Sequence, residues 1–155
     1  MFNYPHNQYF IEHSFLSAAK NGNKQLLITS LNAGVNLEVQ NDDQKTALWL
    51  AVSNGHSKCL QILICANANP DHCPRQHLMM TDGWTPIMHA ARKGHVKCVE
   101  LLINAGANLQ HHKFNMNPFM IAAFHGKFQC VELFITVGCD VDRGPRAIRD
   151  RKKEL

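Results

Sequence analysis

Apolar residues recur at helical spacing in short stretches along the chain, and glycine or asparagine follows each stretch. Leu60, Leu63 and Ile64 lie three and four residues apart, and Val99, Leu102 and Ile103 repeat that spacing. This spacing places the apolar side chains on one face of a helix. The pattern predicts amphipathic helices over 58–66, 96–105 and 128–137, and two further helices over 15–21 and 24–32.

Capping signals precede a second group of predicted helices. Thr46-Ala47, Thr85-Pro86 and Asn117-Pro118 each place a side-chain oxygen where it can accept a hydrogen bond from the first helical turn. Proline suits the first helical position, because its missing N–H would have no helical partner there. The sequence therefore predicts a helix after each of these pairs, with polar connectors before them.

The predicted helices form a repeat. Gly22, Gly55, Gly94 and Gly126 follow the first helix of each pair at intervals of 33, 39 and 32 residues, and a second series keeps the same intervals: Gly34, Asn67, Gly106 and Gly138. Two independent markers in one phase indicate a unit of about 33 residues with an insertion between its second and third copies.

The third copy carries a recognisable motif. Its residues 82–91 read Asp-Gly-Trp-Thr-Pro-Ile-Met-His-Ala-Ala, Gly94-His95 follows, and residues 99–108 complete it. This sequence resembles the ankyrin repeat. The resemblance implies an all-α solenoid of stacked helix pairs joined by hairpin-like fingers, with the fingers and first helices lining a concave face. Trp49, Met88 and Met120 stand where the family usually has histidine, so the hydrogen bond of that histidine to a neighbouring loop is expected to be missing.

We divide the chain accordingly. Four repeats are predicted at 14–39, 40–72, 80–110 and 111–142, with an insertion at 73–79. Residues 1–13 are predicted to be a leader that folds over the first repeat through Tyr4, Tyr9, Phe10 and Ile11, with Pro5 preventing an early helix. Residues 143–155 are read as a basic tail that forms either a capping helix or a localisation signal.

Charge and composition narrow the functional classes. The chain has a formal net charge of +4, and the tail carries it: six basic and two acidic residues lie in 143–155. The repeats are therefore neutral overall, which argues against nucleic acid as their partner. No signal peptide or membrane span is visible, so we expect a protein of the cytoplasm or nucleus.

Cysteines and histidines do not suggest catalysis or a cofactor. Cys59, Cys98 and Cys130 each lie four residues after the glycine marker, where a reduced thiol is expected to pack in the core. His72-Cys73 with His77, or His111-His112, would be a weak zinc candidate because four ligands at suitable spacing are not evident. Motifs for nucleophilic catalysis and phosphate binding are also missing. We therefore expect no enzyme activity and no cofactor.

The resemblance implies which residues contact a partner, namely those at the finger tips and at the exposed ends of the first helices. In the second repeat these are Asp42, Asp43, Lys45, Ser53 and Asn54. In the third they are Thr81, Asp82, Trp84, Arg92 and Lys93, and in the fourth Lys113, Phe114, Met116, Phe124 and His125.

The chemistry of this set suggests the partner. Trp84, Phe114, Met116 and Phe124 are apolar where a solvated surface would be polar, and tryptophan and arginine are enriched at binding hot spots. We predict a non-catalytic interaction module, expected to be a monomer, that binds a protein or peptide with an apolar anchor and acidic character. Three alternatives stay open: the aromatic residues pack against neighbouring fingers, the chain directs a larger enzyme or receptor, or Trp49, Trp84 and Asp42-Asp43 form a methyl-lysine cage for a histone tail.

Overall fold

In the computed structural model, residues 4–74 and 83–139 are described, and they contain eight helices. The helices are α1 (Tyr4–Asn21), α2 (Lys24–Asn32), α3 (Ala47–Ser53), α4 (Ser57–Cys65), α5 (Pro86–Lys93), α6 (Val96–Asn104), α7 (Pro118–Phe124) and α8 (Phe128–Thr136). Each odd-numbered helix pairs with the next even-numbered one. The odd helices pack on one another in sequence, and so do the even helices. The predicted all-α solenoid of stacked helix pairs is confirmed.

The start of α1 differs from the prediction. This helix begins at Tyr4 rather than near Phe15, and it runs without interruption to Asn21. Pro5 lies in the first turn, where backbone N–H groups have no intrahelical acceptor, so it does not prevent the helix. The apolar contacts predicted for this segment hold for Ile11, which packs against the core, whereas Tyr9 and Phe10 are exposed.

Two of the three predicted helix caps form as expected. The Trp49 backbone N–H donates to Thr46 Oγ1 over 3.3 Å, and the Met120 N–H donates to Asn117 Oδ1 over 2.8 Å. Thr85 precedes α5 with Pro86 in the first turn, but its side chain makes no cap hydrogen bond. Proline at the first helical position does not account for this, because Asn117 caps α7 with Pro118 at the same place.

The predicted core positions are buried. Leu60, Leu63, Val99 and Leu102 are fully buried, whereas Ile64 and Ile103 are half-buried and pack against the core. The paired small residues of the first helices let neighbouring repeats approach closely. Cys59, Cys98 and Cys130 are also buried as expected. Burial raises the pKa of the Cys98 thiol to about 11 and also raises the pKa of the other two thiols. These cysteines therefore pack as small apolar residues rather than as nucleophiles.

Histidines connect the fingers to one another. His72 Nε2 donates to the Gln44 carbonyl over 2.8 Å, and His111 Nε2 donates to the Gly83 carbonyl over 3.0 Å. His72 lies in the finger before α5 and His111 in the finger before α7, and each binds the finger that precedes the previous helix pair. The finger contact whose loss was predicted is thus made from another position. Both imidazoles are occupied in this way, and residues 4–74 and 83–139 hold no group of three or more potential metal ligands.

None of the helices in the described part of the chain is long and apolar enough to cross a membrane. Residues 73 and 74 of the predicted insertion belong to the described range, whereas 75–79, including His77, lie outside it. The basic tail at 143–155 lies outside the described residues as well.

Candidate protein-binding face

Two rows of residues form the surface on which the predicted contact residues lie. One row is made by the fingers before α3, α5 and α7, and the other by the carboxyl-terminal ends of these helices. We call this surface the finger face. Of its predicted members, Thr81 and Asp82 lie outside the described residues. The remaining members are Asp42, Asp43, Lys45, Ser53, Asn54, Trp84, Arg92, Lys93, Lys113, Phe114, Met116, Phe124 and His125.

Three aromatic rings meet where α3, α5 and the finger before α5 come together. The His89 imidazole meets the Trp49 indole edge to face, with ring centres 4.5 Å apart, and the Trp84 indole at 5.5 Å. Trp49 and His89 are 6% and 5% exposed, whereas Trp84 is half-buried and packs against the core. We call Trp49, Trp84 and His89 the ring cluster. It joins two repeats, because Trp49 belongs to the second and the other two to the third.

Cationic side chains lie over the tryptophans of the ring cluster. Lys45 Nζ is 4.9 Å from the centre of the Trp49 ring, and the Arg92 guanidinium carbon is 5.7 Å from that of Trp84. These distances suit cation–π attraction. Lys45 also forms an ion pair of 3.0 Å with Asp43. Arg92 connects the two rows of the finger face, because it extends from the end of α5 to the finger residue Trp84.

Lys93 links the ends of neighbouring first helices. Its Nζ donates to the backbone carbonyl of Ser53 over 2.6 Å, although the residue itself is exposed. That carbonyl lies in the last turn of α3, where helix carbonyls have no helical donor and favour a cation. Lys93 therefore serves a structural contact in addition to placing positive charge near the ring cluster.

The electrostatics of the ring cluster keep His89 neutral. Burial, followed by the charges of Lys93, Arg92 and Lys45, lowers the pKa of His89 from 6.5 to about 4. Neither imidazole nitrogen has a hydrogen-bond partner among the residues that the structure describes, and the same holds for Nε1 of Trp49 and of Trp84. Buried polar atoms without partners are rare and costly, so four in one cluster require an explanation.

The finger of the fourth repeat lies against that of the third. The Lys113 side chain lies close to Gly83: a Cβ atom at position 83 would be 3.4 Å from Lys113 Nζ. The same Nζ is 5.1 Å from the centre of the Phe114 ring. Phe114 is 69% exposed at the finger tip, where its φ is 52°. Met116 instead packs against the core. The packing interpretation therefore suits Met116, whereas Phe114 presents its ring to solvent.

The end of α7 presents a second exposed aromatic ring. Phe124 is 79% exposed and meets His125 edge to face, with ring centres 5.1 Å apart. His125 Nδ1 donates to the Ile121 carbonyl over 3.0 Å, which holds the imidazole at the helix end. Phe124 ends α7, which packs on α5. Phe124 and Arg92 each lie two residues before the glycine marker of their repeat, so they occupy equivalent positions.

His89 is the member of this arrangement that the sequence analysis did not select. A signal was available, because His89 interrupts an otherwise apolar run from Pro86 to Ala91. The equivalent residues five positions before the other glycine markers are Ser17, Leu50 and Ile121, and Ser17 is only partly buried. A histidine at a position that is apolar in the second and fourth repeats is the observation that could have identified it.

Comparison with known families agrees with the architecture. The family described as Ankyrin repeats (3 copies) matches residues 15–111 and 71–144. Together these matches cover most of the chain, so the protein belongs to the ankyrin repeat family. Members of this family are generally protein-interaction modules and typically have no catalytic activity. No curated protein matches the chain.

Proposed function

We propose that this chain is a non-catalytic interaction module, a scaffold or adaptor, that binds a protein or peptide on the finger face. A stack of repeats offers one extended surface, and the residues that vary on this surface select the partner. Preformed helices and fingers limit the ordering cost of binding. The role is compatible with a chain that acts alone and with one that directs a larger enzyme or receptor.

The observation that carries the proposal is the exposure of Phe114 and Phe124 on the finger face that also holds the Trp84–Arg92 pair. Large exposed aromatic rings on one surface require an explanation, and partner binding is the usual one. The net charge of the described members of the finger face is positive, because Lys45, Arg92, Lys93 and Lys113 outnumber the carboxylates of Asp42 and Asp43. The proposed partner therefore has an apolar anchor and acidic residues beside it.

The charge distribution weighs against the methyl-lysine cage. A cage holds its ligand cation against aromatic ring faces. Here Lys45 already lies over Trp49 and Arg92 over Trp84. Asp43, one of the acidic residues assigned to the cage, is paired with Lys45. A ligand cation would have to displace these residues and would be repelled by them.

The test is affinity capture from native cell lysate, read by mass spectrometry. Wild type is compared with a Trp84→Ala/Phe124→Ala double variant and with Phe128→Ala. Phe128 is a matched control because it is 78% exposed but lies on the second helix of its pair. All three proteins are first shown to be folded by circular dichroism.

We expect a partner that wild type and Phe128→Ala retain and the double variant loses. Truncation of a central anchor costs about 2 kcal/mol or more, so Trp84→Ala alone should weaken binding by more than about tenfold. If the double variant captures the same proteins as wild type with the same affinity, the finger face is not the binding surface.

A further inference from the structure

The unpartnered nitrogens of the ring cluster have a chemical pattern in common. The two indole nitrogens are hydrogen-bond donors only, and a neutral imidazole has one donor and one acceptor. The cluster thus holds three N–H donors without acceptors among residues 4–74 and 83–139. The ligand that would complete this set is one with several acceptor oxygens.

The charges around the ring cluster point to the same ligand. Lys45, Arg92 and Lys93 all act on His89 electrostatically, from the finger before α3 and from the end of α5. Asp43 offsets part of this charge by its ion pair with Lys45. The Arg92 guanidinium lies over the Trp84 ring and is exposed to solvent. Its planar donors suit two oxygens of one anionic group.

The solvent exposure of the ring cluster and of the cations beside it indicates from which side a ligand would enter. His89 and Trp49 are at least 94% buried, whereas Trp84 and Lys45 are half-buried and Arg92 is exposed. The residues nearest solvent are thus one aromatic ring and two flexible cations. A ligand that reached His89 from this side would have to displace the Trp84 side chain, which packs against the core.

The fold does not require this polar arrangement. In the second and fourth repeats, Leu50 and Ile121 fill the position equivalent to His89 and are buried without side-chain polar atoms to satisfy. Leaving a buried polar group unpaired costs free energy of folding, so an apolar residue would serve packing better at position 89. Violations of this kind are typical of functional sites.

We propose that the ring cluster is the floor of an anion subsite, in which a carboxylate or phosphate group of the partner lies between Arg92 and Lys45 and accepts hydrogen bonds from Trp84, His89 and Trp49. This subsite rests on the proposed protein-binding function, and it identifies the group that the partner inserts. Its ligand is a singly or doubly charged oxyanion, supplied by an acidic or a phosphorylated side chain.

Tryptophan fluorescence reports on this subsite directly, because the two tryptophans of the chain are both in the ring cluster. The full chain is titrated with sodium phosphate and, separately, with sodium acetate, at an ionic strength held constant with sodium chloride. We expect a saturable change of emission with a midpoint in the millimolar range. Stronger binding of phosphate would indicate a phosphorylated partner, and stronger binding of acetate a carboxylate.

Three variants make the test specific. Arg92→Gln and His89→Leu should each weaken the response by about tenfold, since each removes a donor to the anion. Lys97→Gln is the matched control, because Lys97 is an exposed cation on α6 that pairs with Glu100 at 2.9 Å. It should leave the response unchanged. A response that is unsaturable in wild type, equal in Arg92→Gln, or reduced as strongly by Lys97→Gln would overturn the subsite.

The capture experiment separates this proposal from the broader one. A partner lost from Trp84→Ala/Phe124→Ala, without any saturable response to either anion, would preserve the interaction function and remove the subsite. A saturable response that Arg92→Gln weakens, without loss of any captured partner from Trp84→Ala/Phe124→Ala, would preserve an anion site at the ring cluster. It would overturn the interaction on the finger face and, with it, the assignment of the anion to a protein partner.

Discussion

The third and fourth repeats fold alike but differ in how many of their buried polar atoms lack a hydrogen-bond partner among the described residues. In the third, Trp84, Thr85 and His89 each have a buried polar atom without a hydrogen-bond partner among the described residues, and in the fourth only the amide nitrogen of Asn117 is in this position. The third repeat also has the sequence most similar to the family motif. Similarity to the motif thus ensures the fold, whereas the departures from optimal polar satisfaction mark where function is expected.

The largest expected consequence is a dependence of stability on pH. The pKa of His89 is about 4 in the folded chain and near 6.5 when unfolded. Between these values the unfolded state binds the proton and the folded state does not, so stability is full above pH 6.5 and falls as pH decreases towards 4. The loss that His89 contributes is about 3 kcal/mol.

Urea unfolding of wild type and His89→Leu from pH 7.5 to pH 4 measures this contribution as the difference between the two curves. His95, whose pKa is also lowered chiefly by burial, titrates in both proteins and so cancels. A difference that stays constant over this range would show that the pKa of His89 is the same in the folded and the unfolded chain.

A second prediction concerns position 89 at neutral pH. His89→Leu should raise the free energy of unfolding by about 1–3 kcal/mol, because it removes two buried nitrogens that lack partners and retains an apolar side chain. For a chain of this size that corresponds to about 2–4 °C in Tm for each kcal/mol. Thermal unfolding at pH 7.5 provides the measurement.

The converse substitution, Ile121→His, tests whether a buried histidine lowers the free energy of unfolding in another repeat as well. Ile121 is fully buried at the equivalent position of α7, so Ile121→His should destabilise by about 3 kcal/mol, through lost apolar burial and a newly buried imidazole. If both exchanges destabilise, position 89 is adapted to histidine and the comparison between the two repeats fails.

The sequence predicted those features that depend on short-range periodicity. The core positions of α4 and α6, the caps at Thr46 and Asn117 and the buried cysteines all follow from residues within one repeat. The start of α1 differs from the prediction because Pro5 lies in the first turn, where a proline does not interrupt a helix. The ring cluster was missed because Trp49 and His89 are 40 residues apart and meet only through stacking of α3 on α5. Such contacts between repeats have no local signature.

The smallest expected effect lies at the helix caps and compares two threonines that are equally buried. Thr46 and Thr85 are each 1% exposed, but only Thr46 accepts a cap hydrogen bond, from the Trp49 N–H. Thr46→Ala should therefore lower the free energy of unfolding by about 1 kcal/mol. Thr85→Ala removes a hydroxyl that has no partner among the described residues, so it should cost less than half as much. Urea unfolding at pH 7.5 measures both. Equal losses would mean that the Thr85 hydroxyl has a hydrogen-bond partner. The third repeat would then hold one unpaired buried polar atom fewer than its geometry indicates.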